Sequence, residues 1–401
     1  MVPEGWKVVT LGDVIHESAF GPRFSAELYS DNGNVGTIRT TDLDNEGNIN
    51  YKTIPYANLP DSFEAHYLKN NDLLITRSGT CGIPCLFEKQ DKPIIAGAFL
   101  IRFILKDNVH PKYIHSLLKS EHLQRDIHNL SSGGVQKNLS GTNLKKLKFS
   151  LPPFLEQKKI ARILCTWDKA INTTKQMLAN SQRQKKGLMQ QLLTGKRRFM
   201  GFKEEWRKIK LAEVADMNSG GTPSSSIDEY YNGGIPWVSI ADMTSRGKWI
   251  SSTDKTLSQK GLENSSARLY PENTVLYAMY ASIGECSIAR VPLCSSQAIL
   301  GIRPNKELHY EYLYFFLSFL KDKVKLQGQQ GTQSNLNAGM VRDFIIFLPS
   351  IGEQKIISSL LNLADQEIEI LKQKLNRLEQ EKKALMQQLL TGKRRVKTEA
   401  V

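Results

Sequence analysis

Cysteine is scarce in this chain: five of 401 residues, namely Cys81, Cys85, Cys165, Cys286 and Cys294. So few and odd in number, they fit free thiols in a reducing cytoplasm better than a disulfide framework. Long apolar runs are also missing. Nothing approaches the roughly 18 residues of a membrane span; the most apolar stretch, 310–320, contains Glu311. The opening MVPEGWKVVTLGDV has no basic segment followed by an apolar one, so no secretory signal is expected. Acidic excess is absent as well, since 54 Lys+Arg face 40 Asp+Glu for a net charge of +14. That balance makes a polyanion the expected partner, and with the membrane set aside nucleic acid leads. The 40% hydrophobic content is that of an ordinary globular protein, and the length implies two or three domains.

What is present is a duplication. LMQQLLTGKRR fills 188–198 and again 385–395, a shift of 197. The same shift carries Leu151-Pro152 onto Leu348-Pro349, Glu156-Gln157-Lys158 onto Glu353-Gln354-Lys355, and GVQKNLS (134–140) onto GTQSNLN (331–337). Upstream the offset drifts to 200–202: Trp6-Lys7 matches Trp206-Arg207, Asp42-Leu43 matches Asp242-Met243, and Gly82 matches Gly284. Two copies of one unit near 200 residues are not a solenoid, whose periods are roughly 20–50 residues. The first 150 or so residues of each copy agree only at scattered positions, while the last 50 or so are closely alike. The variable part should handle something that differs between copies, and the similar part should do one job twice.

The similar part is helical. Proline is absent from 156–193, and Gly187 is its only glycine. Apolar residues recur in steps of four and three at Ile160, Leu164, Trp167, Ile171, Leu178, Leu188 and Leu192. The second copy has Ile357, Leu361, Ile368, Leu371, Leu375, Leu378, Leu385 and Leu389. A period of 3.5 residues predicts a long helix with a coiled-coil seam. Lys185 and Lys382 occupy the same seam position in the two copies, either with snorkelling stems or as a register device. Pro152-Pro153 and Pro349 precede the helices; Gly195 and Gly392 suit the positive φ just past their ends. The basic residues that follow favour the negative end of the dipole. About 38 residues make a rod of roughly 57 Å. Copies related by a pseudo-two-fold axis require antiparallel rods, and the short 199–205 link disfavours parallel ones.

Each variable part mixes β-like runs (35–39, 73–76, 94–104; 237–240, 275–279, 298–303) with a late helical stretch (111–129; 308–327). The expected fold is therefore mixed α/β: two similar globular domains and two long helices in an antiparallel coiled coil. The expected segments are 1–150, 151–198, 199–347 and 348–401. Loops rich in Gly, Ser, Thr, Asn, Gln, Arg and Tyr carry the side chains that reach bases and phosphates. In the first copy the candidates are Arg23, Arg39, Thr41, Arg77, Ser78, Thr80, Gln136, Lys137 and Asn138. In the second they are Gly221, Thr222, Ser224, Trp237, Ser239, Tyr280, Ser282, Gln297, Gln333 and Asn335.

No catalytic constellation survives inspection. LPPF (151–154) looks like the Asp/Asn-Pro-Pro-Tyr loop of amino-methyltransferases, but Leu151 has no oxygen to accept from an amino group. Glu156-Gln157-Lys158 and Glu353-Gln354-Lys355 resemble half of a nuclease metal site, yet they open helices, where the dipole accounts for the glutamate. GKRR lacks the Ser or Thr of a phosphate loop. Cys81 and Cys85 lack a second pair for a metal, so packed thiols are expected. His110, His115, His122 and His128 share one predicted helix without i, i+4 spacing, which suggests a solvated face.

Two variable domains, each trailed by a similar long helix, resemble the specificity subunit of type I restriction–modification enzymes. GGTPSSS…YYNGGIPWVSIADM (220–243), YASIG (280–284) and the repeated QQLLTGKRR carry the likeness across the whole chain. The resemblance implies that each domain reads one half of a split double-stranded DNA site. It also implies that the helices dock two methyltransferase subunits and, through them, motor-nuclease subunits. S-adenosylmethionine then belongs to the methyltransferase, ATP and Mg to the motor, and no cofactor or catalysis to this chain, which would be cytoplasmic. The first copy departs from the second, with FGPRFS and TRSGTCG in place of GGTPSSS and YASIG. Competing readings are a DNA methyltransferase or nuclease with an unrecognised site, and a coiled-coil scaffold; the latter gives no reason for the domains to differ. Segment 156–198 holds eleven Lys/Arg against two acids, and 353–401 ten against seven. Much of the positive charge therefore lies on the first helix and its basic end.

Overall fold

The computed structural model describes residues 2–131, 138–329 and 336–397. It divides into two units, Met1–Lys175 with Lys374–Val401, and Gln176–Gln373. Each unit thus takes one domain, a portion of that domain's own long helix and a portion of the other. No helix among the described residues is long and apolar enough to cross a membrane.

The long helices span Phe154–Leu193 and Ile351–Leu389, starting behind the prolines as expected. Gly195 and Gly392 take φ of 71° and 70° past their ends, a conformation that costs an L side chain roughly 1–2 kcal/mol. The helices pair antiparallel within each unit. In the first, Lys382 meets Asp168 at 2.6 Å and Lys175 meets Glu379 at 3.0 Å, so a rising number on one helix faces a falling one on the other. In the second, Ser181 Oγ donates to Glu367 Oε1 at 3.1 Å and Lys185 meets Asp365 at 2.5 Å. Ile160, Leu164, Ile171, Leu192, Ile357, Leu361, Ile368, Leu371 and Leu389 are buried along the seam. Trp167, Leu178, Leu188, Leu375, Leu378 and Leu385 are half-buried. The seam lysines are pairing devices: residues 168 and 365 are equivalent in the repeat, as are 185 and 382, so one ion pair is made twice.

In the first domain, strands Ile15–Phe20, Leu100–Leu105, Leu73–Thr76 and Pro84–Leu86 form an antiparallel sheet in that order. A second sheet orders Tyr56–Ala57, Val35–Ile38 and Ile94–Ala96, the last two parallel. The expected single run 94–104 is split between these sheets, because a turn with Leu100 N donating to Gly97 O redirects the chain. Lys7–Thr10 pairs with Lys148–Leu151, returning the end of the domain to the head of the long helix. The expected helix 111–129 is two, Pro111–Leu118 and Glu121–Leu130. Ser120, extended (ψ 143°), breaks the run and stands at the N-cap position of the second without a side-chain cap hydrogen bond.

The second domain repeats the plan. A five-stranded sheet orders Ala215–Ser219, Ile299–Pro304, Val275–Ala278, Cys286–Ala289 and Trp249–Ile250. A three-stranded one orders Lys255–Leu257, Tyr231–Val238 and Cys294–Ser295, and Arg207–Lys210 pairs with Ile345–Leu348. Its late helix is continuous, Tyr310–Gln329. The helix seams run into the domain cores. Ile160, Leu164 and Leu389 pack with Leu11, Phe103, Tyr113 and Leu117, while Leu192, Ile357 and Leu361 pack with Tyr277, Ile302, Tyr312 and Phe316.

Candidate nucleic-acid interface

At the head of each long helix the repeated motifs meet in a latch. Glu156 accepts from Trp6 Nε1 at 3.1 Å and from Arg395 Nε and Nη2 at 2.8 and 2.9 Å. Glu353 accepts from Trp206 Nε1 at 3.0 Å and from Arg198 Nε and Nη2 at 3.1 and 2.8 Å. Both glutamates are almost wholly buried, and a buried carboxylate needs such partners. Next to them Gln157 accepts from His110 N and donates to Pro152 O, as Gln354 accepts from His309 N and donates to Pro349 O. The resemblance of Glu-Gln-Lys to a nuclease site therefore has a structural cause, and the final arginine of GKRR does more than complement a dipole. Sequence reading singled out these residues as repeats but not their partnership, because the partners lie 155 and 239 positions apart.

The predicted reading loops share one end of each domain. In the first, Gly21 N donates to Leu100 O, Arg77 N to Phe99 O and Leu139 N to Arg77 O. Ser78 and Asn138 form a bridge, and the Arg77 guanidinium lies 4.5 Å over the Phe20 ring. Arg23, Arg39 and Thr41 line one cleft. Arg39 is engaged: its guanidinium holds Asp42 at 2.9 and 3.1 Å and reaches Thr53 O, and this hydrogen bonding raises its pKa. Thr80 O accepts from Thr76 Oγ1, pinning the loop. Gln136 and Lys137 lie outside the described residues.

The second domain builds the same frame with other side chains. Gly220 N donates to Ile299 O, Met279 N to Ala298 O and Leu336 N to Met279 O. Ser239 Oγ accepts from Asp242 N to cap its helix and Asp242 accepts in return from Ser239 N, whereas at the equivalent turn of the first domain Asp42 accepts from Arg39 N without a side-chain cap. Burial acts to raise the Asp242 pKa, but hydrogen bonds from Ser239 and the Asp254 backbone outweigh it and hold the carboxyl below its ordinary range. Trp237 is buried, its Nε1 donating to Gly221 O at 2.9 Å, so Gly221 and Trp237 form the frame. Thr222, Ser224, Tyr280 and Gln297 are exposed around it and Ser282 half-exposed. Between Tyr280 and Ser282, Ala281 adopts a φ of 57°, strain of the kind that gathers at functional loops. Gln333 and Asn335 lie outside the described residues.

Among the described residues no group of three or more His, Cys, Asp and Glu could hold a metal. Cys85 is fully buried, which pushes its thiol up to about 12, and burial lifts Cys294 to about 11; neither is a thiolate at neutral pH. The expectation of a solvated histidine face is corrected at His115. Burial against the helix pair pushes its pKa down to about 4, while His122 sits exposed on the second short helix.

Comparison with known proteins gives one family. The type I restriction modification DNA specificity domain matches residues 3–180 and 203–380. The type I restriction enzyme MjaVIII specificity subunit of Methanocaldococcus jannaschii is 27% identical over 99% of this chain and 94% of its own. The EcoR124I/EcoR124II specificity subunit of Escherichia coli is 26% identical over 57% of each. Among solved structures, a type I restriction–modification S subunit from M. genitalium superposes with a TM-score of 0.63 at 17% identity, covering 97% of this chain and 96% of that one. A chain from a study of complex assembly and conformational transition in the type I R-M system reaches 0.58, covering 97% and 98%.

Proposed function

The chain belongs to the type I restriction–modification DNA specificity family, and on that premise we propose that each domain reads one half of a bipartite DNA site. The observation that carries this is a shared loop frame with unlike side chains. The backbone bonds at Gly21 and Gly220, at Arg77 and Met279, and at Leu139 and Leu336 repeat, while the exposed residues on them differ. Phosphate contacts position a reader and base contacts specify it. A constant frame with changeable tips separates those two tasks.

Arg77, Ser78, Thr80 and Asn138 in segment 1–150, and Thr222, Ser224, Tyr280 and Gln297 in segment 199–347, are the readers in this proposal. Segments 151–198 and 348–401 hold the two apart and dock two methyltransferase subunits, which bring S-adenosylmethionine, and through them motor-nuclease subunits that use ATP and Mg. The small, odd number of cysteines suits a cytoplasmic location for that assembly. Each helix of roughly 57 Å is as long as about 17 base pairs of duplex. The site is then non-palindromic, with an unread gap.

The test is sequencing of adenine methylation in cells that express the chain with its methyltransferase partner. One bipartite motif is expected. Seven residues inserted after Lys175 and seven after Gln373 keep the seam and add roughly 10 Å, so the gap should grow by about three base pairs. Altered half-sites would sink the spacing role.

A further inference from the structure

The first domain carries a recess that the second has filled. A cleft of about 570 Å³ is lined by Phe24, Tyr29, Thr37, Phe99, Arg23 and Arg39, a volume within the roughly 300–1,000 Å³ of small-ligand sites. Thr37 is only 2% exposed, and its Oγ1 has no hydrogen-bond partner. A buried hydroxyl without a partner is costly and points to a group that completes it. Phe99 is 56% exposed and Tyr29 40%, giving aromatic faces open to the cleft. The register shows what stands there in the other copy. Thr37 pairs with Ile95 in a parallel ladder as Trp237 pairs with Cys294, and the Trp237 indole is buried on Gly221 O.

A DNA groove is itself concave and is read by protruding elements. A recess therefore takes only what projects from the duplex, a phosphate or an unstacked base. Aromatic walls and a buried hydroxyl still without a partner suit a flat heterocycle, which stacks and presents a hydrogen-bonding edge. We propose that this cleft receives one unstacked nucleobase of the bound DNA, stacked on Phe99 and read at its edge by Thr37. The proposal rests on the reading of the first domain as a DNA-binding domain.

The experiment places 2-aminopurine singly at each position of the recognised duplex and records its emission on binding the chain in complex with its methyltransferase subunits. Adenines extruded into the methyltransferases brighten independently of this cleft. One further position should brighten several-fold. Thr37→Trp, which copies the filled state of the second domain, should abolish that signal and spare the others. Phe99→Ala, at an exposed position that leaves the core intact, should reduce it and weaken binding about tenfold. Specific binding without a further bright position, or with one unchanged in both variants, overturns the cleft proposal alone. A wild-type complex with no sequence-specific binding overturns the DNA reading and this proposal with it.

Discussion

Replacing Glu353 by alanine removes the centre of one latch. Its side chain is fully buried and accepts three hydrogen bonds, two from Arg198 and one from Trp206. The indole N–H left without an acceptor costs about 1–3 kcal/mol. The lost charge-assisted pair costs less than in a closed interior, because the Arg198 side chain is 28% exposed and regains water. We expect about 2–4 kcal/mol in all, and about 1 for Glu353→Gln, which keeps one acceptor oxygen. In a unit of this size each kcal/mol moves Tm by roughly 2–4 °C, so Glu353→Ala should lower the melting of that unit by roughly 4–16 °C. Differential scanning calorimetry reads the shift, with Glu156→Ala as the equivalent change in the other unit. Lys196→Ala, in the same TGKRR motif but exposed, is the control and should change little. A loss below about 1 kcal/mol for Glu353→Ala, or a Lys196→Ala loss of equal size, would refute the latch.

Other outcomes follow from the same structure. Lys185→Glu should destabilise its unit by about 1–2 kcal/mol and be rescued by Asp365→Lys in urea titrations. Ala281→Gly should stabilise by roughly 1 kcal/mol, since glycine accepts positive φ without strain, as thermal melts would show. His115 is held neutral by burial, with its pKa near 4 against an ordinary 6.5. Stability should be level above pH 6.5, fall by up to about 3 kcal/mol as the unfolded histidine alone takes a proton down to pH 4, and then level off. His115→Gln should flatten that slope.

The long helices, their glycine stops and the seam residues were legible because a 3.5-residue period and an unbroken run without proline are local signals. Leu371 and Ile368 could be placed on the buried side without any knowledge of what they meet. The role of Lys185 could not be decided, since a seam lysine snorkels or pairs according to what the opposite helix brings, and Asp365 lies 180 positions away. The same distance hid the latch. Glu156 reads as a helix-start acid until Arg395 and Trp6 arrive from the two ends of the chain. At the reading loops, side-chain type was a fair guide to exposure for Thr222, Tyr280 and Gln297. It misled at Trp237, whose large apolar ring is drawn into the core, while Arg39 is exposed as its type suggests but is tied to a carboxylate three residues on. Thr37 and Phe99 gave no sequence signal. Their interest comes from a strand register that sets threonine in one copy against tryptophan in the other.

The central claim is that the two domains read DNA independently. It is tested most directly by replacing segment 199–347 with the corresponding domain of another family member and sequencing the adenine methylation that the reconstituted complex deposits. The account predicts that one half of the bipartite motif changes while the other half and the gap stay as they were. A motif changed in both halves, or in neither, would contradict it.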